Sequence, residues 1–110
     1  MDNQISVTYQ IVAKIVGVTY DNRQSVIGKL QVGEEVCLIR DPQNQFDRNA
    51  IQVVNLHGQQ CGFLSRDLAA KLADPFDRFG GPVKAIVLSL TGGFYPGSYL
   101  GANIRFPIPG

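Results

Sequence analysis

The sequence is poor in the residue types that build metal sites and disulfide frameworks. It contains no tryptophan, one histidine (His57) and two cysteines (Cys37 and Cys61), with no CxxC spacing. A structural zinc site is built from about four Cys and His ligands, and one histidine with two separated cysteines is too few, so the sequence predicts no metal site. Each cysteine lies in an apolar, strand-like run, which predicts that both are buried as small hydrophobic residues; a disulfide or a metal site is the alternative.

Signals for export and for membrane insertion are also missing. The N-terminal stretch MDNQISVTYQ has no basic start and no long apolar core, so we predict no signal peptide. No apolar run approaches the length needed to cross a bilayer, which predicts no membrane partner. By default we therefore expect a cytoplasmic protein.

Signatures of catalysis are absent as well. The sequence has no P-loop pattern, no GxGxxG after a strand and no GxSxG elbow. A Cys–His catalytic pair has no supporting spacing. We therefore predict that the chain is not an enzyme and needs no cofactor.

The sequence also lacks a large excess of positive or negative charge. The sequence has ten Lys and Arg residues and nine Asp and Glu residues, which gives a formal net charge of +1. A protein that grips an extended duplex usually presents a strongly basic face. The balance weighs against such a face, but it leaves room for a small site that holds a few phosphates.

Glycine and proline are plentiful, and they separate short apolar runs. The 12 Gly and 6 Pro residues favour a loop-rich β fold, and the length fits a single domain over residues 1–110. The polar stretch TYDNRQS, residues 19–25, predicts a turn or mobile loop. A short structured return is predicted to follow over residues 26–30. Strands are predicted over residues 6–18, 35–40, 50–56, 59–64, 83–90 and 99–108. The second to fourth strands are expected to form a meander. The last strand is expected to be a terminal edge that Pro107 and Pro109 protect.

A helix is predicted between the fourth and fifth strands. Apolar residues recur at helical spacing in SRDLAAKLA, with Ser65 as the N-cap and Asp67 in the first turn. Pro75 is expected to end this helix or to begin a second short one. The fold class is therefore mostly β: a small six-stranded OB or SH3-like barrel with one or two short helices between the fourth and fifth strands.

The most distinctive segment is the polar loop DPQNQFDRNA, residues 41–50. Taken residue by residue, it has a purely structural interpretation. Asp41 and Asp47 would cap turns, Asn49 would bond the local backbone, and Phe46 would anchor the loop on the core.

Three blocks taken together change that interpretation. VGVTY, then EVCLIRDPQNQFDRNAIQV, then GQQCGFLSRDLAAKLA resemble the HIRAN domain family over residues 15 to about 90. The string R-D-P-x-N-x-F-D-x-N-A-I is long and specific. The resemblance implies a modified OB barrel that occurs beside helicase-like remodellers and nucleases or as a stand-alone protein. It also implies a binding module for single-stranded DNA, because members in fork-remodelling enzymes bind its 3′ end.

The resemblance further implies roles for individual residues. Tyr20 would stack on the terminal base, Asp47 would accept a hydrogen bond from the 3′ hydroxyl, and Arg66 would contact a phosphate. These roles are chemically reasonable, since an aromatic ring stacks on any base and an ionised carboxylate only accepts hydrogen bonds. Phe46 and Phe63 would wall the pocket, with core packing as the alternative for each. Thr19 and Asn49 complete the predicted nucleic-acid-binding site.

This sequence departs from the family pattern at three positions. Thr19 stands where a basic residue is usual, Asp21 where a second aromatic is usual, and Phe63 where a polar ring is found. Three basic residues could compensate if they face the site: Lys14, Arg23 and Arg48. The pocket is therefore incomplete relative to the family pattern, and we expect either weaker binding to DNA or a different ligand.

We predict a non-catalytic nucleic-acid-binding module that prefers single-stranded DNA 3′ ends. One alternative is a protein–protein interaction barrel without DNA affinity. It rests on the loop GGFYPGSY, whose aromatics Phe94, Tyr95 and Tyr99 would either contact a partner or close one barrel end. A second alternative is an accessory domain of a helicase or nuclease, and such proteins are the possible protein partners.

Overall fold

The computed structural model describes residues 9–109. It contains six strands and two helices. In chain order these are β1 (Gln10–Lys14), α1 (Arg23–Ile27), β2 (Glu35–Arg40), β3 (Ile51–Val54), β4 (Gln60–Phe63), α2 (Arg66–Phe79), β5 (Val83–Thr91) and β6 (Gly101–Pro107). Within these residues, no helix is both long and apolar enough to cross a membrane.

The strands form one antiparallel sheet in the order β1-β6-β5-β2-β3-β4. The two outermost strands meet where the chain beyond β1 pairs with the end of β4. The N–H of Val16 donates to the Phe63 carbonyl at 2.8 Å, and the N–H of Phe63 donates back at 3.0 Å. The prediction of a mostly β, six-stranded, OB-like barrel is confirmed, with the barrel formed as an antiparallel half-barrel, and so is the meander of β2, β3 and β4.

The closure of the sheet depends on a glycine. A Cβ atom at Gly62 would collide with the carbonyl oxygen of Val16 and lie 2.8 Å from Cγ2 of Ile15. Only a residue without a side chain lets the two segments approach this closely. The same approach brings the end of β4 beside the residues that follow β1, which positions the candidate site described below.

One apolar cluster fills the interior of the curled sheet. Helix α2 packs its buried face onto this cluster, and its Phe76 ring meets Phe106 of β6 edge to face, with the ring centroids 6.5 Å apart. Aromatic pairs prefer this geometry because the positive edge of one ring faces the negative face of the other. The cluster consists of the side chains Ile15, Val26, Ile27, Leu30, Val36, Leu38, Ile51, Val53, Cys61, Leu64, Ala69, Leu72, Phe76, Val83, Ala85, Val87, Ala102, Ile104 and Phe106.

Helix α2 begins as predicted but ends later. The hydroxyl of Ser65 accepts from the N–H of Leu68 at 3.3 Å, which confirms the N-cap. The expectation that Pro75 breaks the helix is wrong, because one helix continues to Phe79. A proline removes the bond to the carbonyl four residues earlier. Here that residue, Lys71, is exposed, and burial of Phe76 on the core holds the last turn.

Helix α1 was not expected. It begins within the stretch predicted as a turn or mobile loop, and its last two residues are the first two of the structured return predicted over 26–30. No side chain caps its N-terminus. Instead, Gln24 donates to the carbonyls of Val18 and Leu100, both at 2.9 Å, and accepts from the N–H of Leu100 at 2.8 Å. The two bonds with Leu100 span 76 residues of sequence, which explains why local patterns do not predict the helix.

Two other expectations about the strands need correction. The first strand is shorter than predicted, and residues 6–8 of the prediction lie outside the described residues. The last strand, β6, is not an edge, since it pairs with β1 on one side and β5 on the other. Pro107 is tolerated because it stands at the end of β6, opposite Gln10 at the start of β1.

The two cysteines differ in burial. Cys61 is fully buried in β4, and burial, aided by the negative charge of Glu34, raises the pKa of its thiol from 9.0 to about 11. Cys37 is only half-buried, so the prediction that both are buried is wrong for this residue. Cys37 lies in β2, which pairs with β3 on one side and β5 on the other. The Cys37 side chain lies on the partly exposed face of the sheet.

Candidate functional site

A cleft of about 670 Å³ opens where three segments separated in sequence meet. The segments are the β1–α1 turn, the loop 41–50 between β2 and β3, and the junction of β4 with α2. The sheet closure at Val16 and Phe63 holds the first and third segments together. The cleft is lined by Val16, Gly17, Tyr20, Asp21, Arg23, Asn44, Phe46, Asp47, Ala50, Phe63, Leu64 and Arg66.

Loop 41–50 is built around Asn44. The side-chain oxygen of Asn44 accepts from the N–H groups of Phe46 at 2.9 Å and Asp47 at 3.1 Å. Its amide nitrogen donates to Asp41 at 3.1 Å. Asn favours such turns because its short side chain imitates a backbone turn. These bonds fix the backbone that carries both Phe46 and Asp47.

Asp47 has two different oxygens. Oδ1 accepts from the N–H of Asn49 at 2.9 Å, so Asp47 caps a turn as the structural interpretation predicts. Oδ2 lies 3.8 Å from Nε of Arg66, and the side chain is 20% exposed. One oxygen thus orders the loop, and the other lies beside a cation.

Arg66 is the first residue of α2. Its Nη2 donates a hydrogen bond to the Phe46 carbonyl, and this bond connects the start of the helix to loop 41–50. The side chain is 70% exposed, so its ion pair with Asp47 contributes little to stability. The guanidinium keeps N–H donors for an incoming anion, and it belongs to the first residue of a helix, whose dipole favours negative charge there.

Two aromatic rings at the cleft are exposed. Tyr20 is 66% exposed and Phe46 is 83% exposed. The alternative in which Phe46 packs on the core is therefore wrong. The bonds from its backbone to Asn44 and Arg66 hold the loop while the ring points away from the interior. An apolar ring held this way is available to a ligand.

Phe63 has a different role. It is half-buried at the end of β4, and the guanidinium of Arg23 lies over its ring with the Cζ atom 5.1 Å from the centroid. The same atom lies 6.0 Å from the Tyr20 ring. A guanidinium over an aromatic face is attracted by the ring's negative charge. Phe63 thus forms part of the cleft wall, and Arg23 lies over its ring.

Arg23 is one of the cleft residues that sequence reasoning did not include in the site. Its Nη1 donates to the Gly17 carbonyl at 2.6 Å, and its Nε and Nη2 donate to Oε1 of Gln60 at 3.1 and 2.7 Å. Its side chain is only 12% exposed. The sequence offered Arg23 as one of three cations that could compensate for Thr19, but nothing near it in sequence reveals that Gln60 would hold it.

The predicted site residues thus separate into two groups. The structure brings five together around the cleft, whereas Thr19 and Asn49 are exposed and do not line it. The backbone N–H of Asn49 supports Asp47, which is a local role. The five that line the cleft are Tyr20, Phe46, Asp47, Phe63 and Arg66.

Charges in the cleft are paired. Asp47 faces Arg66, and Oδ2 of Asp21 lies 3.6 Å from Nη2 of Arg23. The cleft therefore offers two carboxylates and two guanidiniums among aromatic rings, a combination suited to a polar, aromatic and anionic ligand. Among residues 9–109, no three His, Cys, Asp or Glu side chains are grouped so as to hold a metal ion.

Comparison with known proteins identifies the family to which this fold belongs. The HIRAN domain family profile matches residues 8–106. The human helicase-like transcription factor is 37% identical over 82 residues, which are 74% of this chain but only 7% of that protein. The chain thus matches less than a tenth of this relative's length.

Solved structures give the same result. The crystal structure of the HIRAN domain of human HLTF has a TM-score of 0.64 at 30% identity, covering 88% of this chain and 74% of that one. The NMR structure of the HLTF HIRAN domain in its DNA-bound conformation has a TM-score of 0.60 at 28% identity, covering 89% of this chain and 72% of that one. The profile match, the relative and the two structures together show that this chain belongs to the HIRAN domain family.

Proposed function

We propose that this chain is a non-catalytic nucleic-acid-binding module that recognises the 3′ end of single-stranded DNA in the cleft. One observation carries the proposal. Tyr20, Asp47 and Arg66 come from three distant segments and line one hollow. The DNA-bound conformation of the HLTF HIRAN domain, whose fold this chain shares, supports it.

The terminal base would stack on the exposed rings. Tyr20 and Phe46 both line the cleft and both present most of their surface to solvent. Stacking of a base on an aromatic side chain contributes about 1–3 kcal/mol and depends little on the identity of the base. Two rings therefore provide affinity for unpaired strands without requiring a basic surface.

The 3′ hydroxyl would donate to Oδ2 of Asp47. Oδ1 already accepts from the N–H of Asn49, so the carboxylate is held in one orientation, and Oδ2 lies beside Arg66, another residue that lines the cleft. An ionised carboxylate accepts from a hydroxyl but repels a phosphate. This arrangement favours a free 3′ end over a continuous or phosphorylated one.

Arg66 would contact the phosphate that precedes the terminal nucleotide. Its guanidinium is exposed at the start of α2, where the helix dipole also favours an anion. With one or two phosphates bound, affinity falls only gently with salt, since the slope for single strands is about −0.7 per phosphate neutralised. A net charge of +1 is compatible with so small a footprint.

The test is fluorescence anisotropy with a labelled single strand that ends in either a 3′ hydroxyl or a 3′ phosphate. We expect about tenfold tighter binding of the hydroxyl end, as for other well-placed recognition contacts. Asp47→Asn keeps the Oδ1 acceptor for Asn49 but removes the charge, and it should reduce this preference more than it reduces affinity.

Asp74→Asn is the matched control. Asp74 is exposed on α2 and does not line the cleft, so its loss changes the net charge equally without touching the site. This variant should keep the full preference for the hydroxyl end. Equal affinity of the unmodified protein for both ends would disprove end recognition.

Binding of a protein partner is the second candidate function. Loop 92–100 exposes Phe94 by 87%, Tyr95 by 71% and Tyr99 by 67%. The expectation that these aromatics close one end of the barrel is therefore wrong, and exposed aromatics are typical of protein interfaces. A helicase or nuclease to which this domain is accessory is the partner we propose for that loop.

A further inference from the structure

We propose that Asp21 selects the terminal base of the bound strand and prefers guanine. The inference rests on the proposed function, since it concerns the base that Tyr20 would stack on. Asp21 lines the same cleft and follows Tyr20 directly in the chain. Its carboxylate would accept hydrogen bonds from the edge of that base.

The position of the carboxylate is set by Arg23. Oδ2 of Asp21 lies 3.6 Å from Nη2 of Arg23, whose Cζ atom lies 6.0 Å from the Tyr20 ring and 5.1 Å from the Phe63 ring. The carboxylate therefore lies beside a guanidinium that lies over the faces of both rings. A base stacked on the other face of the Tyr20 ring would bring its edge near this carboxylate.

The carboxylate is also free to bind. A separation of 3.6 Å is longer than a hydrogen bond, so the contact with Arg23 orients the group without occupying its lone pairs. The side chain of Asp21 is 82% exposed. By contrast, Asp47 already uses one oxygen within its own loop, which leaves Asp21 as the cleft carboxylate with both oxygens available.

The backbone at Asp21 holds this arrangement. Among the described residues, Asp21 is the one non-glycine residue with positive φ, at 54°. The turn closes with a bond from the N–H of Arg23 to the Tyr20 carbonyl at 3.2 Å. Asp and Asn tolerate this conformation better than other side chains, so Asn can replace Asp21 with the turn intact.

The chemistry of the base edges then decides the preference. In an unpaired strand the Watson–Crick edge is open to the protein. Guanine offers two adjacent donors there, the imino N–H and the exocyclic amino group, which match the two oxygens of a carboxylate. Adenine and cytosine offer one donor beside an acceptor, and thymine offers one donor between two carbonyl oxygens that a carboxylate repels.

The test measures binding of four short single strands that differ only in their 3′-terminal base, each with a free 3′ hydroxyl. We expect guanine to bind about tenfold more tightly than thymine, with adenine and cytosine between, since a good bidentate contact gives discrimination of about this size. Asp21→Asn should reduce the ratio to about threefold or less, because a neutral amide both donates and accepts.

The Asp74→Asn variant controls for net charge and should keep the full ratio between guanine and thymine. Equal binding of all four strands by the unmodified protein would overturn this inference and leave the proposed function intact. An unchanged ratio in Asp21→Asn would also overturn it. If no strand binds at low ionic strength, the proposed function fails and this inference fails with it.

Discussion

Loop 41–50 and loop 92–100 both connect neighbouring strands and both expose aromatic rings, yet they are built in different ways. In the first, side chains hold the backbone: Asn44 accepts from two N–H groups, Asp47 accepts from a third, and Arg66 donates to a carbonyl. The backbone of this loop is therefore fixed before a ligand arrives.

The second loop is held more loosely from within. Its path depends on three glycines with φ of 80°, 76° and 82°, and its one side-chain bond to its own backbone among the described residues joins Ser98 to the N–H of Gly93 at 2.7 Å. Glycine reaches such conformations easily but has more freedom to lose when it is ordered. The contrast teaches that an exposed ring is suited to binding when its backbone is already ordered, because a preorganised site loses less entropy on binding.

The largest expected effect comes from removing Asn44. Asn44→Ala removes three hydrogen bonds, each worth about 1 kcal/mol net, and makes the binding conformation of loop 41–50 a minor one. If about 2 kcal/mol of the stabilisation from these bonds is lost from the binding free energy, affinity for a single strand falls about thirtyfold. Anisotropy titration measures the affinity, and denaturant unfolding checks that the core remains folded.

The matched control is Ser98→Ala, which removes a bond of the same kind from the other loop. It should leave the affinity for single strands unchanged. A loss of affinity in Ser98→Ala comparable to that in Asn44→Ala would mean that loop 92–100 also forms the nucleic-acid site, and the contrast between the two loops would be wrong.

The two loops also differ in how far the sequence predicts them. The polar loop is recognisable because Asx residues, a proline and the motif string lie next to one another, so the turn-capping role of Asp47 follows from local chemistry. The direction of Phe46 does not follow, because apolar residues in a loop more often pack inward. It is decided by bonds to Asn44 and Arg66, and the latter is 20 residues away.

Long-range contacts explain the other differences between sequence and structure. The strands of the meander are predicted because alternation and turn residues are local signals. Helix α1 and the position of Arg23 are not, since each depends on glutamine bonds: Gln24 reaches Leu100, and Gln60 reaches Arg23 across 37 residues. The convergence of Tyr20, Asp47 and Arg66 was accessible only through the family resemblance.

Removing one ring from each loop sharpens the comparison with an intermediate effect. Phe46→Ala leaves the backbone carbonyl that Arg66 bonds, so it tests the ring alone, and it should weaken binding of a single strand about tenfold, the loss of one stacking contact. Phe94→Ala removes a ring of similar exposure and should not change this affinity. Should Phe94→Ala alone weaken binding, the nucleic-acid site would lie on the other loop.

The smallest expected effect comes from Arg40, which holds the far end of loop 41–50. Its Nη1 donates to the carbonyls of Arg48 at 2.9 Å and Ala50 at 3.0 Å, and its Nε donates to Asp77 of α2 at 2.9 Å. Arg40→Gln loses the two carbonyl bonds together. Because Asn44 still holds the centre of the loop, we expect only about a threefold loss of affinity, less than one full hydrogen bond.

Asp77→Asn separates the two functions of Arg40. It removes the ion pair with α2 but leaves the guanidinium free to bond the carbonyls of Arg48 and Ala50. If Arg40 acts by positioning loop 41–50, Asp77→Asn binds single strands nearly as well as the unmodified protein, and the preference for a 3′ hydroxyl is the same in both variants. A threefold loss in Asp77→Asn as well would instead place the effect in the packing of α2, because the loop bonds are intact in that variant.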